Sequence, residues 1–96
     1  MARSSYWVYL LGNESGTIYT GVTTDPVRRL AEHRDGKGSR FTKRYGVARL
    51  LLLEEYPTAS EAIEREKQIK GWTRKKKLTL IRESNPEFTD LAEDWY

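Results

Sequence analysis

Residues 6–22 read YWVYLLGNESGTIYTGV, and this stretch decides the fold. It consists of two runs rich in aromatic and β-branched side chains, the residue types that favour strands. Between the runs lies GNESG, a segment with the composition of a turn. The economical interpretation is a β-hairpin, in which the two strands pair antiparallel to each other.

The register of this hairpin determines which side chains share a face. If the turn centres on Glu14, Tyr9 lies opposite Tyr19 on the same face of the pair. A slip of one residue would move the two phenols to opposite faces, because successive side chains of a strand alternate. Our interpretation uses the register that pairs the two tyrosines.

After the hairpin, the sequence signals a helix and a loop. Asp25 followed by Pro26 is a typical helix start, with Asp as the N-cap and Pro at the first helical position. Asp35 and Gly36 are expected to end this helix. Residues 36–46 are rich in glycine and basic side chains, and we interpret them as a loop with room for one helical turn.

The second half of the chain predicts a buried strand and two helices. Residues 47–56 contain an unbroken run of four leucines, which suits a strand covered on both faces. A capping box from Thr58 to Glu61 begins a helix that Gly71 ends, and residues 74–83 form the last helix. The buried stripes of these helices are expected to contain Ala59, Ala62, Ile63, Ile69, Leu78 and Ile81.

These elements predict an α/β fold, a small and mainly antiparallel three-stranded sheet flanked by helices. The 96 residues suffice for one domain, residues 1–96, with a core over about residues 6–83 and an acidic tail over residues 84–96. The chain has no cysteine, which excludes disulfides and thiolate chemistry. The sequence contains no apolar run of the ~18–20 residues that span a bilayer, and it shows no signal peptide. We therefore expect a cytoplasmic location and no association with a membrane.

Charge is distributed unevenly along the chain. Residues 28–82 contain sixteen of the seventeen Lys and Arg residues but seven of the fourteen acidic residues, a net charge of +9, whereas residues 83–96 carry −5. A basic region of this size suits a polyanion such as nucleic acid. A solvated charged surface without a partner explains the charge equally well.

Several side chains stand out without reference to any family. Arg29 and His33 are spaced i, i+4 and share a helix face. Glu66 falls on the apolar stripe of its helix, where a carboxylate is costly unless it is paired or binds a metal. The alternative to a metal is a salt bridge, for which Arg29 is the obvious partner. Taken singly, Tyr9, Tyr19 and His33 are ordinary structural residues.

Together, the motifs of this chain resemble the signature of the GIY-YIG nuclease superfamily. In chain order they are Val8-Tyr9 with Tyr19-Thr20-Gly21, Arg29-Leu30-Ala31-Glu32-His33, Ala62 to Lys70, and Asn85-Pro86. The resemblance spans residue 6 to about residue 91 and is closest to the small, stand-alone, single-domain members. The chain is also similar to the N-terminal domain of the excision-repair nuclease and to the catalytic domains of homing endonucleases.

Three positions depart from the signature. Trp7 stands in place of the first Gly and Thr20 in place of the second Ile, changes that several small members share. Val22 stands where the excision-repair branch has a Lys, which argues against any mechanism that relies on a Lys there.

The resemblance implies a metal-dependent endonuclease that hydrolyses phosphodiester bonds in DNA, in repair or processing, with low sequence specificity. Glu66 would hold one divalent cation, Mg²⁺ or Mn²⁺, because Mg²⁺ typically uses one or two protein carboxylates. Arg29 would stabilise the phosphate, and either Tyr19 or His33 would deprotonate the attacking water, a choice that the sequence leaves open. The implied catalytic residues are Tyr9, Tyr19, Arg29, His33 and Glu66.

The implied partner is DNA that is branched, damaged or single-stranded, with a partner protein supplying specificity. Phosphate contacts, which carry no base information, are expected from the basic residues of 34–44 and 70–77. Phe41, Tyr45 and Trp72 could stack on unpaired bases, although core packing is the preferred explanation for at least two of them. The predicted nucleic-acid-binding residues are Gly21, Arg40, Lys43, Lys70, Arg74, Lys75 and Asn85.

Two other interpretations remain open. A nucleic-acid-binding module that kept the fold but lost catalysis would explain the basic region, but it would not explain why the two tyrosines, Arg29 and Glu66 occur together. A protein-interaction domain would use the acidic tail, with Trp95 and Tyr96, to bind a partner.

Overall fold

The computed structural model describes residues 5–36, 44, 46 and 49–95, and most of the loop predicted for residues 36–46 lies outside this part. The α/β class is confirmed. The elements in chain order are β1 (Tyr6–Gly12), β2 (Ile18–Thr23), α1 (Pro26–Arg34), β3 (Arg49–Tyr56), α2 (Ala59–Lys70), α3 (Arg74–Ser84) and a short 3₁₀ turn (Glu93–Trp95).

The predicted three-stranded antiparallel sheet is present, with strand order β2-β1-β3. The predicted register of the hairpin is wrong by two residues, since Tyr9 lies opposite Gly21 and Tyr19 lies opposite Leu11. Side chains repeat with a period of two along a strand, so this even shift keeps both phenols on one face.

The hairpin turn explains the difference in register. It centres on Ser15 rather than Glu14, because Gly12 pairs with Ile18. Asn13 organises the turn: its Oδ1 atom accepts from the backbone N–H of Thr17 at 2.9 Å, and its carbonyl accepts from the N–H of Gly16 at 3.1 Å. Gly16 adopts φ of +84°, the left-handed region that favours glycine.

The two faces of the sheet are covered by different helices. On the first, the α2 face, Val8 and Leu10 pack with buried residues of α2 and α3, namely Ala62, Ile69 and Ile81. On the second, the α1 face, Tyr9 and Leu11 pack with Leu30 of α1. Strand β1 therefore sends alternate side chains into two separate apolar clusters, and β3 contributes to both, as predicted for a strand covered on both faces.

The predicted helix starts are confirmed in atomic detail. Asp25 Oδ1 accepts from the N–H of Arg28 at 3.2 Å, and Thr58 Oγ1 accepts from the N–H of Glu61 at 3.3 Å. These bonds satisfy backbone donors that the first helical turn leaves unpaired. The predicted burial of Ile63 is wrong: 42 % of this residue is exposed, because the inward stripe of α2 runs through Ala62 and Ile69 instead.

The acidic tail packs against the sheet. Asn85 and Ala92 are both buried, so buried residues continue past the predicted end of the core at residue 83. No helix in the described part of the chain is long and apolar enough to cross a membrane.

The buried hydroxyl of Thr20 leads to a prediction about the free energy of unfolding. Thr20 is 3 % exposed, and its Oγ1 atom has no hydrogen-bond partner among the described residues. Because a buried unpaired hydroxyl costs about 1–3 kcal/mol, Thr20→Val should raise the free energy of unfolding by about 1 kcal/mol. Urea denaturation followed by tryptophan fluorescence measures the change.

Thr89→Val is a control in which the same substitution is made at an exposed residue whose hydroxyl is bonded. Thr89 Oγ1 donates to Asn85 Oδ1 at 3.1 Å, so the same chemical change removes a bond and should lower the free energy of unfolding by about 1 kcal/mol. A loss of stability in Thr20→Val comparable to that in Thr89→Val would contradict the unpaired state of the Thr20 hydroxyl.

Candidate active site

Four of the predicted catalytic side chains lie together on the α1 face. Tyr9 comes from β1, Tyr19 from β2, and Arg29 and His33 from successive turns of α1. The tyrosine ring centroids are 6.1 Å apart, and the imidazole centroid lies 5.7 Å from the Tyr9 ring and 5.2 Å from the Tyr19 ring. The i, i+4 spacing presents both helix side chains to the hairpin.

Hydrogen bonds connect Arg29, Tyr9 and His33 in this cluster. The Tyr9 oxygen lies 3.4 Å from Arg29 Nε and 3.0 Å from His33 Nε2. A guanidinium only donates, so the Tyr9 oxygen accepts from Arg29, and we assign the Tyr9 proton to the bond with His33 Nε2, in which either atom can donate. This assignment makes the imidazole neutral, with its proton on Nδ1. The result is a chain of donors from Arg29 through Tyr9 to His33.

Gly21 makes room for the Tyr9 ring. The two residues lie directly opposite each other on β1 and β2, and a Cβ atom at position 21 would overlap the ring and the phenol oxygen of Tyr9. Any side chain at this position would therefore displace the phenol. A nucleic-acid contact by Gly21 stays a prediction.

Burial shifts the pKa values of two groups in the cluster. Burial raises the pKa of Tyr9 to about 12, although the hydrogen bond from Arg29 lowers it in part. Burial, and next the charge of Arg29, lower the pKa of His33 from 6.5 to about 4. The hydrogen bond to Tyr9 raises the pKa of Arg29. Near pH 7 the phenol and the imidazole are therefore neutral beside a fixed cation.

Glu32 is a residue of this cluster that the sequence interpretation missed. Its carboxylate lies 3.5 Å from Arg29 Nη1 and 3.7 Å from Arg28 Nε. Pairs this exposed contribute little stability, but Glu32 restrains the guanidinium of Arg29 beside Tyr9. The i, i+3 spacing of Arg29 and Glu32 is the sequence signal that could have found it.

Glu66 is not bonded to the other four residues within the described chain. It shares the inward stripe of α2 with Ala62 and Ile69, and its side chain is 13 % exposed. Its Oε1 atom pairs with Lys70 Nζ at 3.3 Å, and within the described residues it makes no hydrogen bond or ion pair with the cluster. The salt bridge to Arg29 offered by the sequence as an alternative is not formed.

The sheet separates Glu66 from the tyrosine cluster. Helix α2 packs against β1 and β2 from the α2 face, and β2 is an edge strand. A phosphate could contact Tyr19 directly and Glu66 through a bound ion. To reach both residues, it must lie along the β2 edge of the sheet.

The donor set at Glu66 fits a hydrated divalent cation. Its second carboxylate oxygen makes no hydrogen bond within the described chain, and the partner on the first, Lys70, is half-exposed and free to rotate away. Mg²⁺ keeps several waters and needs only one or two protein carboxylates. Among the described residues, no three His, Cys, Asp or Glu side chains form a closed metal cage.

The predicted phosphate-binding residues on α2 and α3 differ in their exposure and in the groups that they contact. Lys70 pairs with Glu66, Lys75 is exposed in the first turn of α3, and Arg74 donates to the carbonyl of Ser15 at 3.3 Å. That first turn holds four consecutive cations and no acidic residue. Positive charge at a helix N-terminus opposes the helix dipole and creates a surface that attracts anions. The predicted contacts Arg40 and Lys43, like Phe41 and Tyr45, lie outside the described residues.

Two residues are held by the fold: Asn85, a predicted nucleic-acid contact, and Trp72, one of the three aromatic residues for which base stacking and core packing were both considered. Asn85 is 5 % exposed, its amide N–H groups donate to the carbonyls of Leu51 and Thr89, and its oxygen accepts from the N–H of Thr89. This arrangement leaves no surface for a direct contact. Trp72 packs against the core with Arg65 and Lys76 over its ring, at 5.2 and 4.3 Å, which argues against base stacking.

Comparison with known proteins decides the family. Residues 5–79 match the family model of the GIY-YIG catalytic domain. The chain belongs to the GIY-YIG family. GIY-YIG domains are nuclease domains, so membership gives this protein nuclease potential.

Relatives and a solved structure agree with this assignment. The UPF0213 proteins of Staphylococcus aureus strains Mu3 and N315 are each 42 % identical over 79 residues, which cover 82 % of this GIY-YIG chain and 96 % of the relatives. The solution NMR structure of a UPF0213 protein from Bacillus halodurans is 34 % identical, with a TM-score of 0.59, and the match covers 90 % of this chain and 92 % of that one. The predicted family and fold are confirmed.

The buried imidazole predicts a pH-dependent stability. The pKa of His33 is about 4 in the folded state, below its ordinary value of 6.5. Between about pH 4 and pH 6.5 the imidazole is therefore protonated in the unfolded chain but neutral in the folded protein. The contribution of His33 to stability is complete above about pH 6.5 and is lost as the pH falls towards about 4. The loss should amount to about 1–3 kcal/mol over this window.

Comparison of the wild type with His33→Gln isolates this effect. Urea denaturation at several pH values gives the free energy of unfolding of each protein, and the titration of carboxylates cancels in the difference. His33 is the only histidine of the chain, so the remaining pH dependence belongs to it. A difference that stays constant from pH 7 to pH 4 would contradict a buried neutral imidazole.

Proposed function

We propose that this GIY-YIG protein is a metal-dependent endonuclease that hydrolyses phosphodiester bonds in DNA, in repair or processing. The observation that carries the proposal is the hydrogen-bond chain from Arg29 through Tyr9 to His33, which holds a cation, a phenol and a neutral imidazole in one cluster. Ionisable groups with perturbed pKa values held together in this way are typical of catalytic sites.

The chain of donors supports a proton relay. The attacking water gives a proton to the Tyr9 oxygen while Tyr9 passes its own proton to His33 Nε2. The new bond joins the water oxygen to phosphorus, the bond to the leaving ester oxygen breaks, and solvent protonates that oxygen. Tyr9 thereby stays neutral throughout, which suits a phenol whose pKa is about 12.

Substrate binding would make His33 a better proton acceptor. The charge of Arg29 is one cause of the low pKa of His33. A phosphate anion bound by Arg29 compensates that charge, so the pKa of the imidazole rises in the complex. The same guanidinium donates to the phosphate oxygens as negative charge accumulates on them.

The divalent cation, Mg²⁺ or Mn²⁺, would be held by Glu66. When bound, it polarises the scissile phosphate and stabilises charge on the leaving oxygen. Lys70 must release Glu66 for this to occur, and its ammonium then becomes available to a neighbouring phosphate. Tyr19 lies on the edge strand β2 beside Tyr9 and His33, where it would orient the attacking water.

The basic residues support binding of the DNA backbone along the β2 edge. Arg74 reaches the hairpin turn, and the neighbouring lysines of α3 add further positive charge at this end of the helix. Affinity should fall steeply with salt, because phosphate contacts release counterions. Such contacts carry no base information, so DNA structure or a partner protein would select the target.

Loss of Glu66 should strongly reduce metal-dependent cutting. In a plasmid-nicking assay with Mn²⁺ and an EDTA control, Glu66→Gln should lower the rate by about 10²–10³-fold, as expected for removal of an electrostatic stabiliser. Glu64→Gln is the matched control, with the same change of charge on an exposed residue of the same helix. Nicking by Glu66→Gln at the wild-type rate would remove the metal assignment.

Two tyrosine variants distinguish the relay from direct proton transfer to Tyr19. The relay predicts that Tyr9→Phe lowers kcat by about 10²-fold, because general base catalysis contributes at least that much, whereas Tyr19→Phe loses only the orientation of the water and lowers kcat less. The opposite order would assign the base to Tyr19. Circular dichroism of both variants confirms that each is folded.

The wild type itself separates the nuclease from a binding module. Both bind DNA at low salt, but the nuclease alone converts supercoiled plasmid to the nicked form when Mn²⁺ is present. Binding without metal-dependent nicking under any condition would favour the module that kept the fold and lost catalysis.

A further inference from the structure

We propose that Asp90 is a positioning residue for the candidate active site. Its ion pair with Arg34 holds the C-terminal end of α1 against the sheet, and α1 carries both Arg29 and His33. Asp90 lies beyond residues 5–79, which match the family model. The expected effect on cutting rests on the proposed function, whereas the placement of α1 does not.

Asp90 joins three parts of the molecule with one carboxylate. Its Oδ1 atom accepts from the backbone N–H groups of Leu50 at 3.1 Å and Ala92 at 3.0 Å, and its Oδ2 atom accepts from Arg34 Nη2 at 2.7 Å. The N–H of Leu91 also donates to the carbonyl of Leu50 at 2.9 Å. We call these four hydrogen bonds the Asp90 clasp. The clasp fixes the tail to β3 and α1 to the tail.

The ion pair within the clasp is stronger than an ordinary surface pair. The side chains of Arg34 and Asp90 are 26 % and 24 % exposed, so water screens them only in part. A distance of 2.7 Å is typical of a short, charge-assisted hydrogen bond. Because the carboxylate is already oriented by two backbone donors, little side-chain freedom is lost when it binds the guanidinium.

Helix α1 needs such an attachment at this end. It is nine residues long, and its buried residues are Leu30 and His33. The helix ends at Asp35, and Gly36 follows with φ of +75°. A short helix with one buried apolar anchor can tilt about that anchor, and the clasp restrains the tilt from the C-terminal side.

The restraint bears directly on His33. Arg34 is its neighbour in the chain, so movement of the helix end lengthens the 3.0 Å bond between Tyr9 and His33 Nε2 first. Hydrogen bonds weaken steeply with distance and angle. Arg29, one turn earlier and closer to the anchor Leu30, should move less. Loss of the clasp should therefore open the imidazole to water before it displaces the guanidinium.

Two substitutions with opposite charge changes test the proposal. Arg34→Gln removes a positive charge and the attachment of α1, but it leaves the bonds of Asp90 to Leu50 and Ala92. Asp90→Asn removes a negative charge, while its amide oxygen can still accept from the two backbone donors. The pKa of His33, read from the single histidine resonance in NMR spectra, reports the result.

A positioning role for the clasp and a purely electrostatic effect predict different changes in the pKa of His33 in the two variants. If the clasp positions α1, both variants expose the imidazole, and the pKa of His33 rises in both by about one unit towards its ordinary value. If Arg34 and Asp90 act on His33 through their charges alone, the pKa rises in Arg34→Gln and falls in Asp90→Asn, and the proposal is wrong. An unchanged pKa in both variants, even with lower stability, also overturns it.

Arg49→Gln is the matched control for the loss of an arginine. Arg49 pairs at 3.7 Å with the exposed Glu14 and does not contact α1 through the clasp, so the pKa of His33 should stay unchanged. The groups that face the imidazole, namely Tyr9, Tyr19, Arg29 and Glu32, are retained in all three variants.

Cutting assays extend the test to catalysis. Asp90→Asn keeps the full set of cations, so it should lower kcat by about tenfold without raising KM, in keeping with a small displacement of catalytic groups. If the wild type does not cut DNA, the proposed function fails, but the histidine titration still decides the role of Asp90.

Discussion

The hydrogen bond between Tyr9 and His33 is the interaction that connects the two halves of the candidate active site. It joins the central strand to α1 across 24 positions of the chain. In the direction assigned to it, the phenol accepts from Arg29 and donates to the neutral imidazole. Burial then keeps both partners neutral. Packing, orientation and acid–base properties are therefore decided together, by one buried polar contact in a small protein.

Much of this arrangement was predictable from the sequence because it depends on local periodicity. The hairpin, the caps at Asp25 and Thr58 and the i, i+4 pair on α1 are all properties of neighbouring residues. The tyrosines share a face even though the predicted register is wrong, since an error of two residues preserves the alternation of a strand. The gathering of Tyr9, Tyr19, Arg29 and His33 follows from those local rules and the family resemblance.

The features that sequence reasoning missed depend on contacts between distant segments. The burial of Asn85 and Ala92 arises from docking of the tail, for which the acidic composition gives no signal. The exposure of Ile63 depends on how far α2 rotates on the sheet, an angle that hydrophobic spacing alone leaves undetermined. The position of Glu66 on the face opposite the phenols depends on which face of the sheet α2 covers, a contact between segments distant in the chain.

The irregularity in β3 has a consequence for self-association. The pairing with β1 shifts between Leu10 and Leu11, which leaves Leu51 as an extra residue, and its carbonyl accepts from the Asn85 amide. Together with the bonds of Leu50 to Asp90 and Leu91, this uses backbone groups to which another strand could add. Within the described chain, the beginning of the β3 edge is thus closed to pairing with a strand of another molecule.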